Sequence, residues 1–202
     1  MFDPQNRILF IHIPKTGGTS IERAMGANLP PLGLAKSLMG WGGKHRSWRQ
    51  HLTIAEIKKF YKTIDLHNCF KFTIVRNPWD RMVSSFRWEQ RGFRRNRSKA
   101  PSNFKEFTIS PRWYNKQHSK HQLDFITNEN LKIEVDFIGR FENLQEDFNT
   151  ALVKGDALPK KLPHKNKTKR KHYTEYYDDE TKQIVAEKYA KDIEYFGYEF
   201  GE

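Results

Sequence analysis

The fold of this chain is decided by a stretch near its N terminus, residues 7–20, which reads Arg-Ile-Leu-Phe-Ile-His-Ile-Pro-Lys-Thr-Gly-Gly-Thr-Ser. The apolar run Arg7–Ile13 is bounded by polar residues and ends at Pro14, which predicts a buried strand followed by a turn. A helix is expected after the two glycines, with Thr19 or Ser20 as its cap and Gly26 at its end. A strand, a glycine loop and a helix therefore begin the chain.

The same order of elements returns further along the chain. Phe70–Val75 predicts a second buried strand, and Pro78 lies in the first turn of the helix that follows it. Val135–Phe141 predicts a third strand, and a last helix is expected over Asp178–Phe196. Strands that alternate with helices indicate an α/β fold with a central, mostly parallel sheet flanked by helices, in which ligands bind beyond the carboxyl ends of the strands.

Length and composition limit the class of protein. A chain of 202 residues has the usual length of one domain, and we treat residues 1–202 as a single domain. The 37% of hydrophobic residues, with 14% aromatic residues, is enough for a packed core. The net charge of +12 points to an anionic partner or to a surface that avoids self-association. Cys69 is the single cysteine of the sequence, so no disulfide framework is possible.

No segment of the sequence has the length and apolar character of a membrane span, and the N terminus lacks the basic and apolar regions of a signal peptide. The sequence therefore predicts a soluble, cytoplasmic protein. A longer, membrane-anchored parent would give the same pattern once its anchor had been removed, so that alternative stays open.

The loop Pro14–Ser20 has the composition of a phosphate cradle. Gly17 and Gly18 let the backbone approach a ligand, Lys15 adds a positive charge, and the start of the following helix offers N–H groups to an anion. Three side chains add hydroxyl donors, those of Thr16, Thr19 and Ser20. The loop differs from a Walker A loop, because its lysine precedes the glycines instead of following them. The simpler alternative is a glycine turn with an incidental lysine.

Residues Ile11–Ser20 resemble the 5'-phosphosulfate loop of the Golgi-type carbohydrate sulfotransferases and their bacterial relatives, a group that includes heparan sulfate 2-O-sulfotransferase. The resemblance implies an enzyme with a three-layer P-loop-like fold that takes a sulfuryl group from 3'-phosphoadenosine 5'-phosphosulfate (PAPS). It also implies that the loop Pro14–Ser20 binds this donor. Lys15 would contact the 5'-phosphate and the oxygen that bridges it to sulfur, where negative charge grows as the bond breaks.

A second resemblance to the same family lies at Val75–Ser85, with the sequence Val-Arg-Asn-Pro-Trp-Asp-Arg-Met-Val-Ser-Ser. In that family, a strand that ends in Arg, followed by Asn-Pro and by a Ser in the helix, makes the site for the 3'-phosphate of the donor. The resemblance assigns this role to Arg76 and Ser84. The alternative is that Arg76 pairs with a carboxylate such as Asp80 and that Ser84 caps or back-bonds its helix.

The basic run Pro163–Arg170 is similar in position and composition to the family's C-terminal loop over the nucleotide. The resemblance makes three of its side chains candidates for contact with the donor, namely Lys167, Lys169 and Arg170. A solvated run of charges is the alternative explanation.

Transfer of a sulfuryl group to a hydroxyl needs a base, and histidine is well matched to neutral pH. Of the 8 histidines, His45 and His51 lie between the phosphate loop and the second strand, where the resembled family carries its base just before a helix. His51 fits that placement best, and His45 is the reserve candidate. The expected reaction is in-line displacement at sulfur with release of 3',5'-adenosine bisphosphate. No metal is expected, because the histidines lack paired ligand spacing.

The acceptor implied by the resemblance is a hydroxyl-bearing saccharide, either neutral or anionic, since the relatives mostly sulfate sugars. Four aromatic side chains could stack on it, those of Trp41, Trp48, Trp88 and Trp113. Two other classes remain alternatives. One is a nucleotide kinase or NTPase with an atypical phosphate loop, and the other is a non-enzymatic polyanion-binding protein. A nucleic-acid partner is not expected, because the basic residues show no aromatic-interleaved RNA-binding signature.

Overall fold

The computed structural model describes residues 1–26, 50–62, 65–92, 101–110, 117–163 and 171–202. Within these residues, the strands form one four-stranded sheet in the order β1-β2-β3-β4. The strands are β1 (Phe2–Asp3), β2 (Ile8–Ile11), β3 (Phe70–Val75) and β4 (Phe137–Arg140). β1 pairs with β2 in the antiparallel sense, whereas β2 with β3 and β3 with β4 are parallel. The predicted α/β fold with a mostly parallel sheet is confirmed.

The α-helices of the described residues follow the strands in the predicted alternation. They are α1 (Gly18–Ala24), α2 (Ile54–Phe60), α3 (Pro78–Gly92), α4 (Phe104–Ile109), α5 (Leu123–Ile126), α6 (Leu144–Lys154), α7 (Asp179–Lys188) and α8 (Ala190–Phe196). Among them, none combines the length and the apolar character that a helix needs to cross a membrane.

The chain divides into two compact units. The sheet unit consists of Met1–Val75 and Gln122–Lys167, and the helical unit consists of Arg76–His121 and Thr168–Glu202. Each has its own hydrophobic core. The core of the sheet unit joins the strands to α1 and α6, through Ile8, Phe10, Ile21, Phe72, Phe148 and Leu152. The core of the helical unit joins α3, α4 and α7, through Trp79, Met82, Phe86, Phe104, Phe107 and Val185.

The central strands form because their residues are apolar on both faces. All four residues of β2 are buried, and so are the last four of β3. Phe10 lies opposite Phe72 in the parallel register, and the centres of their rings are 5.0 Å apart. Continuous burial of this kind is typical of parallel strands that helices cover. The loops that follow β2 and β3 carry the candidate site residues.

The last helix, expected over Asp178–Phe196, is in fact two helices, α7 and α8. Tyr189 separates them with φ −108° and ψ 23°, outside regular helical geometry. Its side chain is buried, and its hydroxyl donates a hydrogen bond to the carbonyl of Ser119. No glycine or proline lies at this position, so the local sequence pattern does not signal the break. Packing of Tyr189 decides it.

Candidate active site

The loop between β2 and α1 has an unusual backbone. Lys15 has φ +72° and Gly17 has φ +83°, so both residues lie in the left-handed region. A non-glycine residue in this region costs on the order of 1 kcal/mol, and such outliers cluster at functional sites. Pro14, Thr16 and Gly18 are buried, whereas Lys15 is half-buried. Lys15, the charged residue of the loop, is therefore also the residue whose backbone is strained.

Hydrogen bonds within the loop hold this backbone in place. The hydroxyl of Thr16 donates to the carbonyl of Ile13 at 2.9 Å, and the N–H of Ser20 donates to the carbonyl of Gly17 at 3.0 Å. Of the three predicted hydroxyl donors, Thr16 thus closes the turn. Thr19 and Ser20 are half-buried in the first turn of α1.

The expected cap of α1 is wrong. Thr19 and Ser20 lie inside the helix, and the N-cap is Gly17, which has no side chain to bond the first turn. The physical reason is the backbone, because the N-cap position is left-handed here and glycine adopts this conformation without strain. The N–H of Ser20 bonds the carbonyl of Gly17, and among the described residues no side chain caps the N–H groups that precede it in the helix.

Both glycines of the loop lie against other side chains of the sheet unit. A Cβ atom on Gly17 would lie 2.8 Å from Cδ2 of Leu144. A Cβ atom on Gly18 would lie 2.2 Å from Cδ2 and 2.3 Å from Nε2 of His12. Real Cβ atoms do not approach other atoms this closely, so any larger residue would displace either the loop or its neighbours. The imidazole of His12 therefore packs directly on the start of α1.

His12, Glu22, Gln50 and His51 form a hydrogen-bonded network in the sheet unit. Nδ1 of His12 lies 2.8 Å from Oε1 of Glu22, and Nε2 of Gln50 donates to Oε2 of Glu22 at 2.6 Å. Glu22 is only 2% exposed. Burial by itself raises the pKa of this carboxyl, but His12, the N-terminal ammonium of Met1 and the hydrogen bond from Gln50 together lower the pKa below its ordinary value. Glu22 is therefore a buried carboxylate in its charged form.

The imidazole of His51 is held by the main chain of His12. Nδ1 of His51 lies 3.0 Å from the carbonyl oxygen of His12, and the two rings meet edge to face with their centres 4.4 Å apart. A carbonyl oxygen only accepts, so Nδ1 of His51 must carry the hydrogen. In the neutral ring the lone pair is then on Nε2. This tautomer can accept a proton from a substrate at Nε2.

Arg76 and Asp80 form a buried ion pair in the helical unit. Nε and Nη2 of Arg76 lie 2.9 and 2.6 Å from Oδ2 of Asp80. The alternative foreseen from the sequence, a structural pair of these two residues, is therefore present. Asp80 is also one helical turn before Ser84 on α3, so the carboxylate that orients Arg76 and the half-buried hydroxyl share one face of the helix.

Comparison with known proteins gives the family. A family model described as "Sulfotransferase family" matches residues 1–199. The chain belongs to this family. Carbohydrate sulfotransferase 10 is similar over 96% of the chain at 26% identity, both in Homo sapiens and in Gallus gallus. The chain spans 65% of the length of the human relative and 64% of the length of the chicken one.

A further relative comes from an archaeon. An uncharacterized protein of Archaeoglobus fulgidus is 35% identical over 91 residues, which cover 45% of this chain and 70% of the relative. No solved structure matches the chain. The resemblance to the sulfotransferases that residues 11–20 and 75–85 indicated is confirmed at the level of the family.

Several predicted site residues of this sulfotransferase family member lie outside the described residues. They are His45, Lys167, Lys169 and Arg170. The predictions for these residues stay predictions. Within the described ranges, no group of three or more His, Cys, Asp or Glu side chains is arranged to hold a metal ion.

Glu22, Gln50 and His12 are the residues of the network that the sequence did not single out. The local signal for Glu22 is weak, because a glutamate in a short helix is normally exposed. It follows Gly18 by four residues, on the helix face that packs against His12. Only the fold shows that a carboxylate at this position is buried beside His12 and Gln50.

Proposed function

We propose that this chain is an enzyme that transfers the sulfuryl group of PAPS to a hydroxyl of a carbohydrate, releasing 3',5'-adenosine bisphosphate. The observation that supports it most directly is the loop after β2. There a lysine is held in a left-handed backbone immediately before an uncapped helix start, in a chain of the sulfotransferase family. Arg7, Leu131 and Asp156 are also left-handed, so it is the position of Lys15 before the helix start, together with its backbone, that supports the proposal.

The donor atoms of the loop fit a multiply charged anion. The residues Pro14–Ser20 present an ammonium group, main-chain N–H groups and the hydroxyls of Thr19 and Ser20, and no acidic side chain is among them. We assign the 5'-phosphosulfate to these residues. Lys15 would stabilise the negative charge on the oxygen that bridges phosphorus and sulfur, and a fixed donor of this kind acts without reorganisation during the reaction.

We assign the 3'-phosphate to Arg76 and Ser84. Asp80 holds the guanidinium of Arg76 through Nε and Nη2, which fixes the plane of the group. A planar guanidinium of fixed orientation suits a phosphate better than a mobile one, because less side-chain entropy is lost on binding. Lys167, Lys169 and Arg170 are proposed to contact the donor from the basic run.

His51 is the proposed base. Its hydrogen bond to the carbonyl of His12 keeps the hydrogen on Nδ1, so Nε2 can take the proton of the acceptor hydroxyl. His45 remains the reserve candidate. A sulfuryl group carries less charge than a terminal phosphoryl group, so we expect Lys15 and the main-chain donors to suffice without a metal ion.

We further propose that residues 1–202 act as one sulfotransferase domain with a three-layer P-loop-like fold. The carbohydrate acceptor is proposed from the name of the relatives, carbohydrate sulfotransferase 10. The chain has 36 lysine and arginine residues against 24 acidic residues, which favours an acceptor that is itself anionic.

Calorimetric titration with 3',5'-adenosine bisphosphate tests the donor. The controls are adenosine 5'-monophosphate and ATP with magnesium. We expect the bisphosphate to bind far more tightly than either control. Tighter binding of magnesium ATP would overturn the proposal and favour a nucleotide kinase or NTPase. Binding of polyanions with no selectivity among nucleotides would replace it with the polyanion-binding protein.

Transfer from radiolabelled PAPS to neutral and anionic oligosaccharides tests the reaction and the acceptor. Labelled saccharide is the expected product. Donor binding without transfer to any sugar would leave the donor site standing and overturn the carbohydrate acceptor.

A further inference from the structure

Glu22 is a charged group whose burial the proposed reaction does not by itself explain. The carboxylate is 2% exposed, and it lies on α1, the helix that begins at the loop. Burying a carboxylate is costly unless its oxygens are paired and hydrogen-bonded. Both oxygens are bonded here, one by Nδ1 of His12 and the other by Nε2 of Gln50. The network is therefore complete around the charge.

The two partners of Glu22 are the two residues that position His51. Gln50 precedes His51 in the chain, so its amide anchors the main chain at that point. The main-chain carbonyl of His12 accepts the hydrogen bond from Nδ1 of His51, and the imidazole of His12, which Glu22 bonds, meets the His51 ring edge to face. Glu22 thus bonds both His12 and Gln50, the two residues next to the His51 imidazole in space or in sequence.

The contacts join segments that are far apart in sequence. Glu22 and Gln50 are separated by 28 positions, and His12 and His51 by 39. All four residues belong to the sheet unit. Gly18 packs on the ring of His12, so the same network also contacts the start of the helix that follows Lys15. The carboxylate is well placed to fix His51 relative to the loop.

We propose that Glu22 is a positioning residue for His51. Its charge holds His12 and Gln50, and through them it keeps the hydrogen of the neutral His51 ring on Nδ1 and the lone pair on Nε2. The kinetic part of this inference rests on the proposed function, in which His51 is the base. The tautomer itself is a property of the folded protein and can be measured without substrate.

The substitution Glu22→Gln tests the role with little change of shape. A glutamine has one accepting atom where the carboxylate has two, and it carries no charge, so one of the two bonds must be lost or reverse its direction. We expect the neutral His51 ring to shift toward the tautomer with hydrogen on Nε2. We expect kcat to fall about tenfold or more, as is typical when a residue that orients a functional side chain is replaced. Affinity for 3',5'-adenosine bisphosphate should be unchanged.

The primary measurement is NMR of the full chain labelled with ¹⁵N-histidine, in which ring nitrogen shifts distinguish the tautomers. The His51 signals are assigned from their loss in His51→Ala. Glu56→Gln is the matched control, because Glu56 bonds the N–H of Thr53 in the capping box just after His51 and a glutamine can replace it there. The control should leave the tautomer of His51 unchanged.

The outcomes separate the two proposals. A shifted tautomer in Glu22→Gln, together with reduced kcat and intact bisphosphate affinity, supports the positioning role. An unchanged tautomer overturns it, even if kcat falls, and so does loss of bisphosphate affinity. If the wild-type chain transfers no sulfuryl group, the proposed function fails but the tautomer shift still supports the positioning of His51.

A second variant covers the case in which Glu22→Gln does not fold. Gln50→Ala removes one of the two supports and leaves the pair of His12 and Glu22 in place. We expect a smaller shift of the same tautomer equilibrium. Identical His51 signals in Gln50→Ala and wild type would then overturn the proposal.

Discussion

The loop after β2 and the segment after β3 both end a parallel strand and begin a helix, yet they are held by different means. The first is held mainly by its backbone, with left-handed residues at Lys15 and Gly17 and a glycine cap. The second is held by side chains. Arg76 pairs with Asp80, and the side chain of Asn77 accepts from the N–H of Trp79 and donates to the carbonyl of Glu199.

The difference matches the tasks that we propose for the two regions. Charge that develops during a reaction is best stabilised by donors in fixed positions, which a constrained backbone provides. A phosphate that does not react needs only to be anchored, and an arginine oriented by a carboxylate is enough for that. The following predictions test this contrast, from the largest expected effect to the smallest.

Lys15→Ala should have the largest effect. It removes the one full positive charge of the loop Pro14–Ser20, and we expect kcat/KM for sulfuryl transfer to fall about a thousandfold, the upper range for loss of a single donor to a developing charge. The control is Lys132→Ala, which changes an exposed lysine of the same unit. Equal activity in the two variants would contradict the role of the loop.

His51→Ala separates chemistry from binding within the first region. We expect transfer to fall about a hundredfold or more, because the acceptor hydroxyl loses its base, while affinity for the bisphosphate stays the same. The control His67→Ala replaces an exposed histidine of the sheet unit. Loss of bisphosphate binding in His51→Ala would instead make His51 a structural residue.

Gly17→Ala tests how far the first region depends on its backbone. The left-handed conformation and the contact with Leu144 should together reduce the free energy of unfolding by about 2 to 3 kcal/mol. Gly197→Ala is the matched control. Gly197 is also left-handed, with φ +64°, but a Cβ there would meet no atom within 4 Å. Urea denaturation should show a loss of only about 1 kcal/mol for this control. Equal losses would mean that Leu144 does not constrain the loop.

Ser84→Ala tests the second region. Loss of one hydroxyl donor to a phosphate should weaken binding of 3',5'-adenosine bisphosphate about tenfold by calorimetry. Ser85→Ala is the control, because Ser85 is the next residue of α3 and is buried. We expect no change in its affinity. The same affinity in both variants would remove Ser84 from the donor site.

The smallest effect concerns Lys188, at the end of α7. Burial, and secondarily the charge of Arg81, lowers the pKa of its ammonium from 10.5 to about 7. His121 and Asp192 also lie near Arg81 in this cluster, with Asp192 Oδ1 3.9 Å from Nδ1 of His121 and Oδ2 3.9 Å from Nη1 of Arg81. Between pH 7 and 10.5 the unfolded chain holds a proton that the folded chain has released.

The free energy of unfolding should therefore rise with pH across this window, and the penalty of a charged Lys188 should be complete below it. Lys188→Met removes this contribution. Because the lysine is partly exposed, we expect the variant to gain about 1 kcal/mol over wild type at pH 6 and to lose this advantage toward pH 10. Urea denaturation at several pH values measures the difference. A constant difference would contradict the lowered pKa.

The sequence was a good guide to local structure. The strands after Arg7 and before Arg76 lie where the apolar runs predict them, with β2 at Ile8–Ile11 and β3 at Phe70–Val75. The break at Tyr189 and the glycine cap of α1 were not foreseen, because each depends on packing or on a backbone angle that neighbouring residues do not encode. Prediction failed where a tertiary contact decides the geometry.

By itself, the sequence determined the alternation of strands and helices, the glycine loop with Lys15, and the resemblance to the sulfotransferases. These follow from short-range patterns, in which hydrophobic period, glycine and proline act within a few residues. Only the tertiary structure decided that Glu22 is buried and charged and that the His51 ring is held by His12. The physical reason is that burial and hydrogen-bond geometry depend on which chain segments meet in space, and segments as far apart as His12 and His51 meet only in the folded chain.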